Sequence, residues 1–146
     1  KVVHAYEKVA KLEGNADSGK LLFKTHCQLC HSFKGEGNKV GPDLTAFSAK
    51  PVNDWLVGIL DPNRAVETIY TAYLVIRKDG SALTGVIASE TANALTIRTA
   101  AGQETTVLRA NLESVRSLGS SLMPEGMESA LTPQSVADLL AFLRSP

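Results

Sequence analysis

Three things are scarce in this sequence of 146 residues: cysteine, net charge and long apolar runs. The 15 basic and 15 acidic side chains cancel, so no overall field favours nucleic acid or an acidic membrane surface. No apolar stretch approaches the length of a membrane span. The best candidate, Val136 to Leu143, is short and contains Asp138. We therefore expect neither a nucleic-acid partner nor a membrane span.

The chain is long enough for one compact domain with a real core, or for a small domain that carries an insertion. It begins at Lys1 rather than at a methionine and shows no apolar signal-peptide segment. We therefore expect either a processed mature form or a piece of a longer protein.

The most specific motif is the pentapeptide Cys27-Gln28-Leu29-Cys30-His31. Two thiols three positions apart can add across the two vinyl groups of one haem, and the adjacent histidine can bind its iron. A CxxC pair also suits zinc or thiol-disulfide exchange, and such a string can arise by chance. A structural zinc site needs four ligands, but the chain has no second Cys or His pair. The motif predicts one covalent haem c per chain, with zinc, redox thiols and chance as alternatives.

The segment before this motif has the spacing of an amphipathic helix. Asp17 and Ser18 are candidates for its N-cap, and the pattern places Leu21, Leu22 and Phe23 toward a core. A thioredoxin-like site would need a strand here instead. The segment after the motif is too rich in glycine for regular structure, as expected of a loop that wraps closely around a flat ligand.

Eight residues in and around the motif resemble the N-terminal half of a class I cytochrome c: Gly19, Phe23, Cys27, Cys30, His31, Gly41, Pro42 and Leu44. The resemblance implies that Gly19 lets the first helix cross the last at close range. It also implies that Phe23 and Leu44 pack at the haem and that the Pro42 carbonyl accepts the ring N–H of His31. An iron-bound imidazole normally makes such a bond through its other nitrogen. The alternative is that Gly41-Pro42-Asp43 is only a turn.

The sixth iron ligand is expected among two methionines, Met123 and Met127. Met123 precedes Pro124 just ahead of the terminal helix, and in this it is similar to the loop methionine that binds iron in class I cytochromes c. Pro124 would keep the loop out of helix. We expect His31 and Met123 to be the axial ligands. The alternatives are Met127, a vacant position, or core packing of Met123.

Two further helices are predicted around this site. Thr132 and Pro133 resemble a helix start, and the residues up to Leu143 form an apolar stripe. Pro51 to Leu60 forms the other helix, which carries Trp55, the only tryptophan. Trp55 is a candidate to pack on or hydrogen-bond near a haem propionate; the alternative is a plain core residue.

Between these parts, over residues 69–118, the apolar pattern changes to period two, which is strand spacing. Turn signals at Asp79-Gly80, Thr91-Ala92-Asn93 and Ala101-Gly102 divide the region into four or five short antiparallel strands. So few residues favour a small SH3-like or Sm-like barrel. The predicted fold class is therefore mainly α, a class I cytochrome c fold with this barrel inserted. Its predicted parts are 1–15 as a helix or linker, 16–68 and 119–146 as the cytochrome halves, and 69–118 as the insertion.

The layout beyond Asn15 resembles the haem-binding domain of planctomycete and verrucomicrobial proteins. The residues that carry this resemblance are the CxxCH motif, Val40-Gly41-Pro42-Asp43-Leu44, Ile59-Leu60-Asp61-Pro62-Asn63, Asp79-Gly80, Leu122-Met123-Pro124-Glu125-Gly126 and Ala137-Asp138-Leu139-Leu140. It implies a c-type cytochrome domain, often joined to a dehydrogenase or propeller module, in a periplasmic or otherwise exported bacterial protein.

The expected function is outer-sphere electron transfer rather than catalysis, with a redox partner protein or a fused dehydrogenase domain. The alternative is a gas or redox sensor in which Met123 is displaced and the insertion reports the change. A peroxidase-like enzyme is disfavoured, because His4 and His26 form no distal acid-base pair. The basic residues of the insertion are balanced by acids, which predicts a solvated surface rather than a nucleic-acid site.

Overall fold

A computed structural model describes all residues of the chain, 1–146. Four α-helices pack around one apolar core, and a β-sheet is inserted between the third and the fourth. The helices are α1 (Val2–Ala5), α2 (Ala16–His26), α3 (Val52–Leu60) and α4 (Pro133–Leu143). Short 3-10 helices fill several connections: Glu7–Lys11, Leu44–Phe47, Thr68–Tyr70, Ala100–Gly102, Arg109–Asn111 and Met127–Ser129. None of the helices combines the length and apolarity that crossing a membrane requires.

Side-chain caps fix where α2 and α4 begin. The carboxamide of Asn15 accepts a hydrogen bond from the Ser18 N–H at 3.0 Å, so α2 starts before the predicted caps. At α4 the Thr132 hydroxyl accepts from the Ser135 N–H at 3.1 Å, and proline occupies the first helical position as predicted. One core prediction is wrong, because Leu21 is 67% exposed on the outer face of α2.

Helices α2 and α4 cross at close range. A Cβ at Gly19 would lie 1.9 Å from the carbonyl oxygen of Asp138, so only glycine permits this approach. Beside the crossing, α4 buries Val136 and Leu139 completely. The N-terminal segment packs on the same core, where the Tyr6 hydroxyl donates to the Leu131 carbonyl at 2.6 Å.

The chain forms seven strands. They are β1 (Ser32–Phe33), β2 (Glu36–Gly37), β3 (Thr71–Arg77), β4 (Ala82–Glu90), β5 (Ala94–Arg98), β6 (Glu104–Leu108) and β7 (Leu112–Ser121). Strands β1 and β2 form a small hairpin just after the CxxCH motif. The other five form one antiparallel sheet in the order β6-β5-β4-β3-β7, with its own small core of Val75, Leu95 and Ile97.

The predicted fold class is wrong. The chain is 38% helical and 27% strand, with a five-stranded antiparallel sheet, and so it is not mainly α. Strands β4 and β7 have nine and ten residues, close to the nine to eleven residues of α2, α3 and α4. Within the insertion, β6 and β7 lie at opposite edges of the sheet and β7 pairs with β3 alone, so hydrogen bonds between β6 and β7 do not close the predicted small barrel. Alternating apolar residues cannot separate these shapes, since open sheets and barrels share the same side-chain period.

The turn between β5 and β6 rests on the helical part of the molecule. The Ala101 N–H donates to the Leu29 carbonyl at 3.1 Å, inside the CxxCH segment. The Arg98 guanidinium donates to the Lys39 carbonyl at 2.8 Å in the loop that follows it. The insertion therefore supports the attachment loop directly.

Candidate cofactor site

A mainly apolar cavity of about 300 Å³ opens where the CxxCH segment, α3 and the loop before α4 meet. Seven of the eight predicted site residues line it: Cys27, Cys30, His31, Pro42, Leu44, Trp55 and Met123. The eighth, Phe23, is buried behind the wall, with ring centroids 6.1 Å from Phe33 and 5.7 Å from Phe142. The structure therefore brings residues nearly a hundred positions apart into one site that suits a largely apolar ligand.

A tight turn at the end of α2 holds the two thiols and the histidine. The Cys30 N–H and the His31 N–H both donate to the Cys27 carbonyl, at 3.1 and 2.9 Å. Burial raises the pKa of the Cys27 thiol to about 12, and the neighbouring Cys30 adds to that rise. Burial also raises the pKa of Cys30. Thiol-disulfide exchange uses thiols with lowered pKa values, so the redox-thiol alternative is disfavoured.

A backbone carbonyl holds the imidazole of His31 through its Nδ1 atom. Its Nδ1 lies 2.8 Å from the carbonyl oxygen of Pro42, so the Nδ1–H donates to that oxygen and leaves Nε2 available as a ligand. A Cβ at Gly41 would lie only 2.6 Å from the His31 ring, which explains the glycine before the proline. Burial lowers the pKa of His31, and the bond to Pro42 opposes this in part. The imidazole is therefore neutral at pH 7, as metal binding requires.

The loop after the motif folds back onto it. The amides of Val40 and Gly41 both donate to the Cys30 carbonyl, at 3.0 and 2.7 Å. The backbone and side-chain N–H groups of Asn38 donate to the Gln28 carbonyl, at 3.2 and 3.3 Å. These bonds fix the carbonyl of Pro42 relative to His31.

Both methionines lie at the cavity. Met123 and Met127 are half-buried and line it together. The N–H of Met123 donates to the Ser121 hydroxyl at 3.0 Å, in a segment without regular structure. Met127 begins a 3-10 helix and its carbonyl accepts from Ala130 and Leu131. The backbone at Met123 is thus the less constrained of the two.

Trp55 leaves a polar atom without a partner. Its side chain is 6% exposed, lines the cavity from α3, and its Nε1–H has no acceptor within the protein. A buried N–H without an acceptor costs about 1 to 3 kcal/mol. The site thus offers a hydrogen bond to an acceptor brought by a ligand.

Several residues that line the cavity were not identified from the sequence. They include Val86 of β4, Tyr70 before β3, Gly58 of α3 and His26. Val86 lies within the period-two apolar pattern of residues 69–118, which could not show that it faces this cavity. Gly58 sits inside α3, where glycine is unfavourable, and a Cβ there would meet nothing within 4 Å. That mid-helix glycine was the available signal.

Comparisons with known proteins agree with this geometry. A family model described as "Cytochrome c" matches residues 16–146. Cytochrome c of Arabidopsis thaliana is 59% identical over 34 residues, which are 23% of this chain and 30% of that protein. The cytochromes c of Cochliobolus lunatus and Stellaria longipes are each 58% identical over 33 residues, 22% of this chain and 31% of each protein. The similarity to these relatives thus spans less than a third of their own length.

The predicted cofactor is confirmed. Proteins of the matched family bind haem covalently through two cysteines, and Cys27 and Cys30 supply that pair. The residues present fit the group, because the cavity is apolar, the His31 imidazole is neutral and the Trp55 N–H lacks an acceptor.

Proposed function

Because this chain belongs to the cytochrome c family, we propose that it is an electron carrier with His31 and Met123 as the axial ligands of its haem iron. When bound, the haem supplies one-electron chemistry through its iron, which alternates between the ferrous and ferric states. The observation that carries the proposal is that His31 and Met123 line one cavity together with both cysteines. Members of the family are electron carriers and generally not catalysts.

The proposed role of His31 is that of the fixed, neutral ligand. Its hydrogen bond to the Pro42 carbonyl at 2.8 Å sets the tautomer, holds the ring plane and makes Nε2 more basic. Because the Pro42 carbonyl is backbone within a hydrogen-bonded loop, the ring has little freedom to turn away. A fixed ligand of this kind keeps the geometry similar in both oxidation states.

The proposed role of Met123 is that of the second ligand. A thioether sulfur favours the ferrous state relative to a second histidine, and an apolar cavity favours it further. Pro124 also lines the cavity and fixes its own φ, which keeps the chain after Met123 out of helix. These residues together support a high reduction potential for the site.

Replacing Met123 by alanine tests the ligand assignment. We expect the oxidised M123A holoprotein to lose the far-red sulfur-to-iron charge-transfer band that the unchanged protein shows. The matched control is Met127→Ala, which removes the other thioether from the same cavity and should keep the band. Survival of the band in M123A together with its loss in M127A would assign the ligand to Met127.

A haem-based sensor is the alternative function, and one observation favours it. Val86 of β4 and Ser121 of β7 line the same cavity as Met123, so the sheet is in a position to respond if Met123 leaves the iron. Addition of CO to the reduced protein separates the two functions. A carrier with a retained thioether keeps its spectrum, whereas rapid formation of a CO complex would favour the sensor.

We further propose that the chain acts within a larger exported bacterial redox protein, of the planctomycete and verrucomicrobial type. The support is the sequence layout, together with the need for reduced cysteines and haem outside the cytoplasm during attachment. A redox protein or fused dehydrogenase would be the partner. Fractionation of the native cells tests this, since holoprotein in the cytoplasmic fraction would contradict it.

A further inference from the structure

One side chain outside the cavity joins both ends of the segment that carries Met123. Here the Met123 loop means residues 121–125. The Ser121 N–H donates to Asn63 Oδ1 at 2.9 Å, and Asn63 Nδ2 donates to Glu125 Oε1 at 2.8 Å. The two attachment points lie two residues before and two residues after Met123. Asn63 therefore spans the loop as a clamp.

Asn63 lies in a hydrogen-bonded turn. It sits in the turn that ends α3, where the Arg64 N–H and side chain bond to the Asp61 carbonyl and carboxylate, at 3.1 and 2.8 Å. Pro62, the residue before Asn63, is buried in the cavity wall. The backbone of Asn63 is thus fixed to the wall that faces the cofactor.

The Met123 loop has few other attachments. Residues 122–125 lie in neither helix nor strand. Inside the loop, the Met123 N–H bonds to the Ser121 hydroxyl. The two hydrogen bonds that link the loop to side chains elsewhere in the chain both involve Asn63. Loss of this one side chain would leave the loop held mainly by the end of β7 and by packing.

We propose that Asn63 is a positioning residue that holds the Met123 loop against the cavity and so sets how readily an external ligand displaces the Met123 sulfur from iron. This inference rests on the proposed ligation by Met123. Asn63 touches neither the sulfur nor the iron site, so its effect acts through Ser121 and Glu125. A ligand can enter only if the loop moves outward, and both bonds of Asn63 oppose that movement.

The first test is imidazole binding to the oxidised holoprotein, followed by absorption. In N63A we expect the apparent affinity for imidazole to rise about tenfold, the amount that two partly exposed hydrogen bonds support. The control is N111A, which removes another exposed asparagine, in the turn before β7, and should bind imidazole as the unchanged protein does. Equal affinity in N63A and the unchanged protein would overturn the proposal.

A pair of variants separates a specific clamp from general loosening. N63D keeps the acceptor for the Ser121 N–H but sets a carboxylate against that of Glu125, so at pH 7 we expect it to bind imidazole at least as well as N63A does. Adding E125Q supplies an amide donor at position 125 and should restore the affinity to near that of the unchanged protein. Failure of E125Q to rescue N63D would contradict the clamp.

Hydrogen exchange at the Ser121 amide distinguishes failure of this inference from failure of the proposed ligation. The N–H of Ser121 donates to Asn63 whatever the iron ligand is, so its exchange should be faster in N63A than in N111A. Survival of the charge-transfer band in M123A would refute ligation by Met123. Loss of the band in M123A, together with the same Ser121 exchange in N63A as in N111A, would refute the clamp alone.

Discussion

The close crossing of α2 and α4 at Gly19 provides the most quantitative prediction. In Gly19→Ala, the new Cβ would start 1.9 Å from the Asp138 carbonyl oxygen, 2.6 Å from its carbon and 2.9 Å from Phe142 Cβ. Two of these atoms are backbone, so no side-chain rotation can relieve the contact. Reaching the 3.4 Å of ordinary contact from 1.9 Å requires the helices to separate by about 1.5 Å.

Separating the helices lowers the free energy of unfolding. It loosens α4 just where Val136 and Leu139 are completely buried. Overpacking of this kind typically costs about 1 to 3 kcal/mol, and a backbone clash belongs at the upper end. The higher helix propensity of alanine offsets about 1 kcal/mol of this cost. We expect G19A to lose about 2 kcal/mol of unfolding free energy, which at about 2.1 cal/mol/K per residue lowers the Tm of this chain by about 7 °C.

The assay is thermal unfolding of the holoprotein followed by far-UV circular dichroism, with urea unfolding as a second measure. The control is K20A, which places alanine at the next, exposed position of the same helix and should change the Tm by less than about 2 °C. A G19A protein that unfolds within 2 °C of the unsubstituted protein would show that the close crossing does not stabilise the fold.

Two further predictions concern the haem site itself. Gly41→Ala places a Cβ 2.6 Å from the His31 ring, so it should turn the ring and lengthen the hydrogen bond from the ring to the Pro42 carbonyl. We expect the holoprotein to lose about 1 to 3 kcal/mol of unfolding free energy. The electron paramagnetic resonance spectrum of the ferric form should change as well. Pro42→Ala keeps the carbonyl and should have the smaller effect; equal effects would contradict this reasoning. Trp55→Phe removes the N–H that has no acceptor in the protein. If that N–H neutralises a haem carboxylate, its loss should lower the midpoint potential by about 30 to 60 mV in a spectroelectrochemical titration, and an unchanged potential would exclude that role.

Local chemistry made much of the helical part predictable. The start of α4 follows from Thr132 and Pro133, because capping and a fixed φ depend only on neighbouring residues. The turn at Asp79-Gly80 is local in the same way, since Gly80 adopts a φ of +87° that favours glycine. The end of α2 at the first cysteine also follows from short-range pattern.

Predictions that depended on distant neighbours were weaker. Leu21, Leu22 and Phe23 are consecutive, so a helix turns their side chains in different directions, and Leu21 is 67% exposed because α2 buries only a narrow face at Gly19 and Phe23. The inserted sheet was expected to close into a barrel, but closure depends on whether β6 meets β7, which their sequences do not reveal. The clamp at Asn63 was also hidden, since its partners lie 58 and 62 positions away.

The sequence by itself determined the cofactor and its attachment, because two cysteines and a histidine in five consecutive positions form one short unit whatever the rest of the chain does. Only the tertiary structure decided what faces that unit. The cavity is closed by residues from α3, β4 and the Met123 loop, and packing of separate apolar faces brings these together. Such packing depends on the shape of the whole chain, and so the presence of Met123 and His31 in one cavity is a property of the fold.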